Sequence, residues 1–193
     1  LKQIQNHNKN VQLFVVGDDW QAIYGFSGGD ITIIVKNFEK YFGNRNKKDL
    51  ALTYRFNQRL CELTSSFIQK NSNQLEKNIK GIIEYNDVPV EIFRQRDKSN
   101  FKIDFSLKKS LLENLNNIFR SDPNAKKILF LTRYHDYNYK NGYEDLEKYL
   151  HSIFKSKKKN IEFSTIHLAK GSEADYVFLL NVSDGFLGFP STI

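Results

Sequence analysis

The chain has 193 residues, which is enough for one full domain or for one domain and part of another. Its net charge of +7 suits an anionic partner without identifying one. The single cysteine excludes a disulfide framework, and there is neither a signal peptide nor an apolar run of the roughly 20 residues that span a bilayer. We therefore expect a soluble cytoplasmic protein in which Cys61 is a buried structural thiol.

The first elements are predicted from apolar patterns. Residues 11–16 form an apolar run typical of a buried strand. After a polar loop, Asp30 can cap a helix that ends at Gly43. The apolar face of this helix would consist of Ile31, Ile34, Val35, Phe38 and Phe42. The polar stretch 44–49 is the best candidate for a domain boundary.

The middle of the chain is less regular. Residues 51–54 indicate a short strand, and a helix follows with the stripe Leu60, Leu63, Phe67 and Ile68. Residues 72–87 are rich in Asn and Lys and indicate a loop with one short strand at 82–83. Residues 90–93 alternate weakly, as a strand would.

The last part alternates helices and strands. Helices are predicted around 107–118 and 143–153, and strands at 128–132, 161–165 and 176–180. The continuous apolar run 128–132 is typical of a central parallel strand, and 176–180 of a buried one. The basic run 155–159 indicates a solvated loop. This alternation predicts an α/β fold with a mostly parallel sheet.

The loop at 16–29, with the sequence VGDDWQAIYGFSGG, holds most of the candidate chemistry. Parallel sheets present ligands at the carboxyl ends of their strands. Asp18, Asp19 and Gln21 can hydrogen-bond to water bound to phosphate or metal, but adjacent acids point in different directions, so we expect no shared metal. Tyr24 and Phe26 can stack on unpaired bases, at about 1–3 kcal/mol for each base. We expect Trp20 mainly to brace the loop.

Three segments in this order resemble conserved motifs of the UvrD/Rep family of superfamily 1 DNA helicases. GDDWQ at 17–21 resembles the third motif, in the form found in the DNA helicase IV branch. LTYRFN at 52–57 resembles the fourth motif, and STIHLAKGSEADYV at 164–177 resembles the fifth. ILFLTRYH at 128–135 is a weaker match to a strand that carries a DNA-contacting arginine.

The resemblance implies two RecA-like motor domains of the P-loop NTPase type. Residues 1–48 would be the end of the first domain, and residues 49–193 would be the second, incomplete at its C-terminus. The stretch between Tyr54 and Thr165 is too short for a large accessory insertion.

The resemblance also implies roles at an ATP site. Arg55 would be an arginine finger, and such residues contribute on the order of 10³–10⁵ in rate. Gln21 would contact the γ-phosphate or the attacking water, and Tyr54 would stack on adenine. Gly171 and Glu173 would lie at the nucleotide sugar. From the residues alone, Arg55 would usually be read as part of a surface ion pair and Glu173 as a solvated acid, and the resemblance reverses that weighting.

For single-stranded DNA, the resemblance implies stacking by Tyr24 and Phe26 and a backbone contact by Arg133. Thr165 and His167 would couple nucleotide state to the DNA, and Lys170 could contact phosphate or cap a turn. Core packing of Phe26 and a structural role for His167 stay open as alternatives. Gly25 and Ser27 stand where many relatives carry arginine, which leaves part of the DNA contact unassigned.

Several parts required for hydrolysis are not in this sequence. It has no Gly-x-x-x-x-Gly-Lys-Ser/Thr phosphate loop. We expect that loop and the acidic pair that binds Mg²⁺ upstream of Leu1, and the sixth motif after Ile193. The chain would then be an inactive C-terminal piece of a monomeric ATP-dependent 3′–5′ DNA helicase that has no membrane partner. The alternatives are a catalytically inactive nucleic-acid-binding or interaction module with a degenerate helicase fold and, less favoured, the helicase half of a helicase–nuclease.

Overall fold

The computed structural model describes residues 2–8, 10–22, 30–72, 74–83, 90–94, 105–133, 143–180 and 182. The chain divides into two compact units, Leu1–Val90 and Glu91–Ile193. The domain boundary expected after residue 48 remains a prediction about the motor domains. No helix in the described part of the chain is long and apolar enough to cross a membrane.

In its described residues, the first unit contains a parallel two-stranded sheet and four α-helices. In chain order these elements are α1 (Lys2–His7), α2 (Thr32–Val35), α3 (Phe38–Phe42), β1 (Leu52–Asn57), α4 (Gln58–Ile68) and β2 (Lys80–Ile83). Asn57 ends β1 and caps α4, because its Oδ1 accepts a hydrogen bond from the Leu60 amide at 2.8 Å. Cys61 is buried, as predicted, and its thiol donates to the Ile79 carbonyl at 3.2 Å.

Among the residues that the structure describes, the second unit contains a three-stranded parallel sheet and two α-helices. Its elements are α5 (Phe105–Ser121), β3 (Ile128–Thr132), α6 (Tyr143–Ile153), β4 (Ile161–Thr165) and β5 (Tyr176–Leu179). The strand order is β4-β3-β5, so β3 is central, as its apolar run predicts. The basic run 155–159, expected to be a loop, lies in a 3₁₀ helix, Lys155–Asn160.

The core of the second unit lies between this sheet and the apolar faces of α5 and α6. It comprises Leu111, Leu115, Ile128, Phe130, Leu146, Leu150, Ile161 and Leu180. Phe130 is fully buried, and its ring stacks on Phe163 at 4.7 Å and on Phe178 at 4.6 Å between centroids. The three rings align because Phe130 is in register with both partners across the parallel strands. This packing fixes where the carboxyl ends of β3 and β4 lie.

The mixed α/β architecture with parallel strands is therefore confirmed, together with the predicted helices α4, α5 and α6. Gly43 ends α3 at φ +86°, with its N–H donating to the Glu39 carbonyl at 2.9 Å, as expected of a helix stop. The expected single helix after Asp30 is instead the pair α2 and α3. Asn37, at φ −113° and ψ 9°, interrupts the helical backbone between them.

Three predicted strands differ from the structure. Residues 11–16 are not a buried strand: Phe14 is 90% exposed, and no strand of the described chain pairs with this run. Apolar sequence gives a buried strand only where a neighbour supplies hydrogen bonds and both faces are covered. Residues 90–93 lack a pairing partner in the same described ranges and form no strand. β5 is an edge strand, so Val177 and Leu179 stay about half exposed.

Candidate functional site

The loop after residue 16 folds into a tight turn that holds Gln21 by its side chain. A 3₁₀ turn spans Asp19–Gln21, and Asp18 caps it by accepting the Trp20 amide proton through Oδ1 at 3.1 Å. The second carboxylate oxygen of Asp18 accepts from Gln21 Nε2 at 2.7 Å. The carboxamide of Gln21 is therefore exposed but oriented.

Both acids of the turn contact one ammonium group. Lys77 Nζ lies 2.6 Å from Asp18 Oδ1 and also pairs with Asp19 Oδ1. The expectation that the two adjacent acids point in different directions is therefore wrong. That alternation holds within a strand, whereas here extended backbone at Asp18 gives way to the 3₁₀ turn at Asp19.

Trp20 braces the turn, as predicted. Its Nε1 donates to the Leu75 carbonyl at 3.0 Å, and the Leu75 amide donates to Asp19 Oδ2 at 2.7 Å. With its amide nitrogen facing the carboxylate, Gln74 adds a donor to Asp19 Oδ2 at 3.0 Å. The buried acid and the indole together fasten the loop to the segment between α4 and β2.

Ionisation of this cluster follows from its contacts. Partial burial would raise the pKa of Asp18, but hydrogen bonds from Lys77 and Gln21 and the charge of Lys77 outweigh it and lower that pKa. Burial would likewise lower the pKa of Lys77, but hydrogen bonds and charge attraction from Asp18 and Asp19 raise it. Both groups are therefore charged at neutral pH.

Tyr54 and Arg55 lie in a bulge of β1. Thr53 pairs with Gly81 and Asn57 pairs with Ile83, so residues 54–56 lie opposite a single residue of β2. Such bulges break the regular alternation of side chains and redirect them. Tyr54 is 69% exposed and Arg55 is exposed as well, so both side chains are accessible to a ligand.

Gly81 lets the two strands approach closely beside this bulge. A Cβ atom at Gly81 would lie 2.7 Å from the Asn57 carbonyl carbon and 2.8 Å from the Gln58 amide nitrogen. The Gly81 amide donates to Gln58 Oε1 at 2.9 Å. A side chain at this position would push against the backbone where β1 ends and α4 begins.

In the second unit, candidate DNA-contacting residues meet at one edge of the sheet. Thr132 ends β3 in register with Thr165, which ends β4, and both side chains are buried. Arg133 follows Thr132 directly and is half-buried. The structure therefore brings Arg133 and Thr165 to neighbouring strand ends.

A compact turn follows β4. The Thr165 hydroxyl accepts from the Leu168 amide at 3.2 Å, and the chain reverses again at Gly171, whose φ is +83°. His167 and Glu173 are exposed. Asp175 Oδ2 accepts the amides of Lys126 and Lys127 at the opposite end of β3, so the connection runs back along the sheet.

The described contacts link several of the predicted site residues to their neighbours within each unit. Gln21 is held by Asp18, Tyr54 adjoins Arg55 in the bulge, and Thr165 lies beside Arg133 with His167, Gly171 and Glu173 in the following turn. Tyr24 and Phe26 lie outside the described residues.

Sequence reasoning missed Lys77 and Gly81. Lys77 stands in an aperiodic Asn/Lys-rich stretch with no pattern to mark it. Gly81 carried a usable signal, because glycine within a strand often marks a close backbone approach.

Comparison with known proteins shows that the chain is similar to DNA helicases. Residues 1–43 match the family model for the UvrD/REP helicase N-terminal domain. The chain is 35% identical to DNA helicase IV of Escherichia coli (strain K12) over 191 residues, which is 99% of this chain and 25% of that protein. It is 38% identical over 79 residues to the ATP-dependent DNA helicase PcrA of Bacillus subtilis (strain 168), covering 41% of this chain and 10% of that protein.

The chain thus spans about a quarter of the DNA helicase IV that it matches. No solved structure matches it significantly. The similarity to DNA helicase IV nevertheless extends over almost the whole chain and includes all three helicase-like motifs. The chain therefore resembles UvrD/Rep-type helicases along almost its whole length.

Proposed function

We propose that the chain is the C-terminal motor portion of an ATP-dependent DNA helicase of the UvrD/helicase IV type, which moves 3′ to 5′ on single-stranded DNA in the cytoplasm. One observation carries the proposal: 35% identity to a DNA helicase over 191 residues that include the third, fourth and fifth motifs in order. The RecA-like assignment is part of the proposal, and the parallel sheets are compatible with it.

The division into motor domains at residues 1–48 and 49–193 is also part of the proposal. The match of residues 1–43 to an N-terminal helicase domain supports a boundary close to residue 48. The two compact units of the structure divide later, after Val90, since the loop of residues 18–20 is fastened to residues 74–77.

The nucleotide would contact residues from three motifs, with Gln21 of the third motif at the γ-phosphate or the attacking water. Arg55 would neutralise the charge that grows on the transferring γ-phosphate, and its exposed place in the β1 bulge supports that role. The 69% exposure of Tyr54 suits stacking on adenine. Gly171 and Glu173 would approach the sugar.

ATP and Mg²⁺ are the cofactors that this function requires, and Mg-ATP supplies the phosphoryl group and the charge neutralisation for its transfer. Asp18 and Asp19 are occupied by Lys77 and by amide donors. They therefore fit the orientation of Gln21 better than metal coordination, and the magnesium ligands would lie in the first motor domain.

Single-stranded DNA would lie across the strand ends of the second unit. Arg133 and Thr165, at the ends of β3 and β4, are placed as neighbours that a sugar-phosphate backbone could contact together. His167 lies in the turn that follows, and Tyr24 and Phe26 would add base stacking.

The decisive experiment is Arg55→Ala in the full-length helicase. We expect DNA-stimulated ATPase activity to fall by on the order of 10³-fold or more, because the transition-state charge loses its guanidinium. Arg55→Lys should restore little, since an ammonium lacks the planar fork. ATP turnover and DNA affinity are measured side by side.

Arg59→Ala is the matched control, because it removes the same charge from the exposed face of α4, four residues away. It should leave turnover within a few-fold of wild type. Equal turnover of Arg55→Ala and wild type would refute the arginine-finger role. A wild-type protein that binds DNA without any ATPase activity would favour the inactive nucleic-acid-binding module instead.

A further inference from the structure

We infer that Lys77 is a positioning residue that sets the Gln21 carboxamide through Asp18. This inference rests on the proposed function, because it assigns a purpose to the orientation of Gln21. It adds a residue outside the helicase-like motifs to the machinery that responds to the nucleotide. The inference stands on a chain of contacts from the ammonium to the carboxylate to the amide.

Each oxygen of Asp18 has its own donors in this chain of contacts. Oδ1 accepts from Lys77 Nζ at 2.6 Å and from the Trp20 amide at 3.1 Å, whereas Oδ2 accepts from Gln21 Nε2 at 2.7 Å. Rotation of the carboxylate would break these bonds together. Lys77 therefore restricts the group to which Gln21 is bonded.

Holding the nitrogen of Gln21 decides which end of the carboxamide is presented. An amide has one donor end and one acceptor end. With Nε2 directed at Asp18, Oε1 is the end left to accept a hydrogen bond from a water molecule. A water that attacks a phosphoryl group needs such an acceptor, so the observed orientation is the useful one.

Further contacts hold Lys77 in place. Its ammonium also pairs with Asp19, whose side chain is only 3% exposed, and it lies 4.9 Å from the centre of the Trp20 ring. A buried carboxylate without its cation is costly, so the pair resists separation. The Lys77 carbonyl accepts from Gln69 Nε2 at 2.8 Å, which ties the same residue to the end of α4.

This arrangement joins two of the motifs. Residues 74–77 lie between α4 and β2, and β2 pairs with β1, which carries Arg55. The loop that carries Gln21 is thus fastened to the segment between α4 and β2, and β2 pairs with the strand that carries Arg55. A charged side chain in an otherwise patternless stretch thereby links the third motif to the fourth.

The test is a double-mutant cycle in the full-length helicase with Lys77→Gln and Gln21→Ala. We expect Lys77→Gln to lower kcat for DNA-stimulated ATP hydrolysis by roughly 10- to 100-fold, the effect of misplacing a catalytic group by about 1 Å, with a smaller change in KM for ATP. In the Gln21→Ala background, Lys77→Gln should lower kcat by less than about threefold further, because its target is gone.

Two variants separate positioning from folding. Lys77→Arg should recover most of the activity, since a guanidinium can bridge both carboxylates. Lys70→Gln removes an exposed lysine from the turn after α4 and should match wild type. Thermal unfolding curves of all variants are recorded first, and the ATPase kinetics are then measured at a temperature at which every variant is folded.

The outcomes distinguish this inference from the proposed function. Full activity of Lys77→Gln beside a loss in Arg55→Ala would overturn the inference and leave the function standing. Equal losses from Lys77→Gln with and without Gln21 would also overturn it, since they indicate a merely structural lysine. If the wild-type helicase has no ATPase activity, the proposed function fails, but the inference about Lys77 can still be tested by ¹⁵N NMR. Lys77→Gln should then shift the resonance of the Gln21 side-chain amide, and an unchanged resonance would overturn the inference.

Discussion

Asp19 shows how a charged side chain is accommodated in the interior of the first unit. Its side chain is 3% exposed, and it accepts a hydrogen bond from the Leu75 amide while pairing with Lys77. Such a carboxylate is stable only while it is both paired and hydrogen-bonded. Asp18 shares the cation but is 42% exposed, so it can also reach the exposed Gln21. One residue anchors the loop and its neighbour presents the amide.

The lowered pKa of Asp18 predicts acid sensitivity. Because the folded-state pKa lies below the ordinary value of 3.8, the pair stabilises the protein fully above that value. This contribution is lost as pH falls through the folded pKa. Lys77, with a pKa raised above 10.5, stays charged throughout this window.

The measurement is urea unfolding of wild type and Asp18→Asn between about pH 6 and 2.5. Wild type should be more stable at pH 6 by no more than about 1 kcal/mol, as for partly exposed ion pairs. The gap should close at the acid end. Taking the difference between the two proteins cancels the exposed Asp30, whose pKa is also lowered, by its hydrogen bonds with Thr32. A gap that persists or widens toward pH 2.5 would contradict the assignment.

At the scale of elements, the β1–β2 pair is shaped by its irregularity. Three residues of β1 lie opposite one residue of β2, and Asn57 turns the chain directly into α4. The close approach at Gly81 lets the backbone of β2 pass beside that junction. The bulge and the glycine together determine how Tyr54 and Arg55 are displayed.

Gly81→Ala should therefore destabilise the first unit by about 1–3 kcal/mol, the usual cost of overpacking, because backbone rather than a flexible side chain blocks the new methyl group. Urea unfolding followed by the fluorescence of Trp20, the only tryptophan, measures the loss. Lys80→Ala, at the exposed neighbouring position, should stay within about 0.5 kcal/mol of wild type. Equal stability of Gly81→Ala and Lys80→Ala would show that β1 and β2 move apart to accommodate the new methyl group without loss of stability.

At the scale of the whole molecule, the net charge of +7 favours contact with a polyanion. Charge alone does not choose a face, and the strand ends around Arg133 and Thr165 are the site proposed here. Each phosphate neutralised on a single strand contributes about −0.7 to the slope of log affinity against log salt. The slope of log affinity against log salt therefore reports how many phosphates the protein contacts.

Fluorescence anisotropy of a labelled oligothymidine with the 193-residue chain should show weak binding that declines as salt rises. Arg133→Ala should make the slope less negative by about 0.7, which corresponds to one lost phosphate contact. Arg120→Ala, which removes an exposed arginine at the end of α5, should leave the slope unchanged. Identical slopes for Arg133→Ala and wild type would remove Arg133 from the DNA path.

Local pattern in the sequence was sufficient for elements whose partners are also local or strongly apolar. The helices α4 and α5, the continuous apolar run of β3 and the helix stop at Gly43 follow from the sequence, because periodicity and backbone freedom act within a few residues. The stripe predicted for α4 is only partly buried, since Leu63 and Phe67 are exposed. The helicase-like motifs also indicated the resemblance to UvrD/Rep helicases, which the similarity to DNA helicase IV supports.

Only the tertiary structure decided features that depend on distant partners. Residues 11–16 have strand-like composition but no pairing neighbour in the described chain, and Val177 and Leu179 of β5 stay about half exposed at the sheet edge. Lys77 gained significance only when folding brought its ammonium to Asp18 and Asp19. Burial, strand pairing and ion pairing are properties of two segments together, so neither segment's sequence contains them.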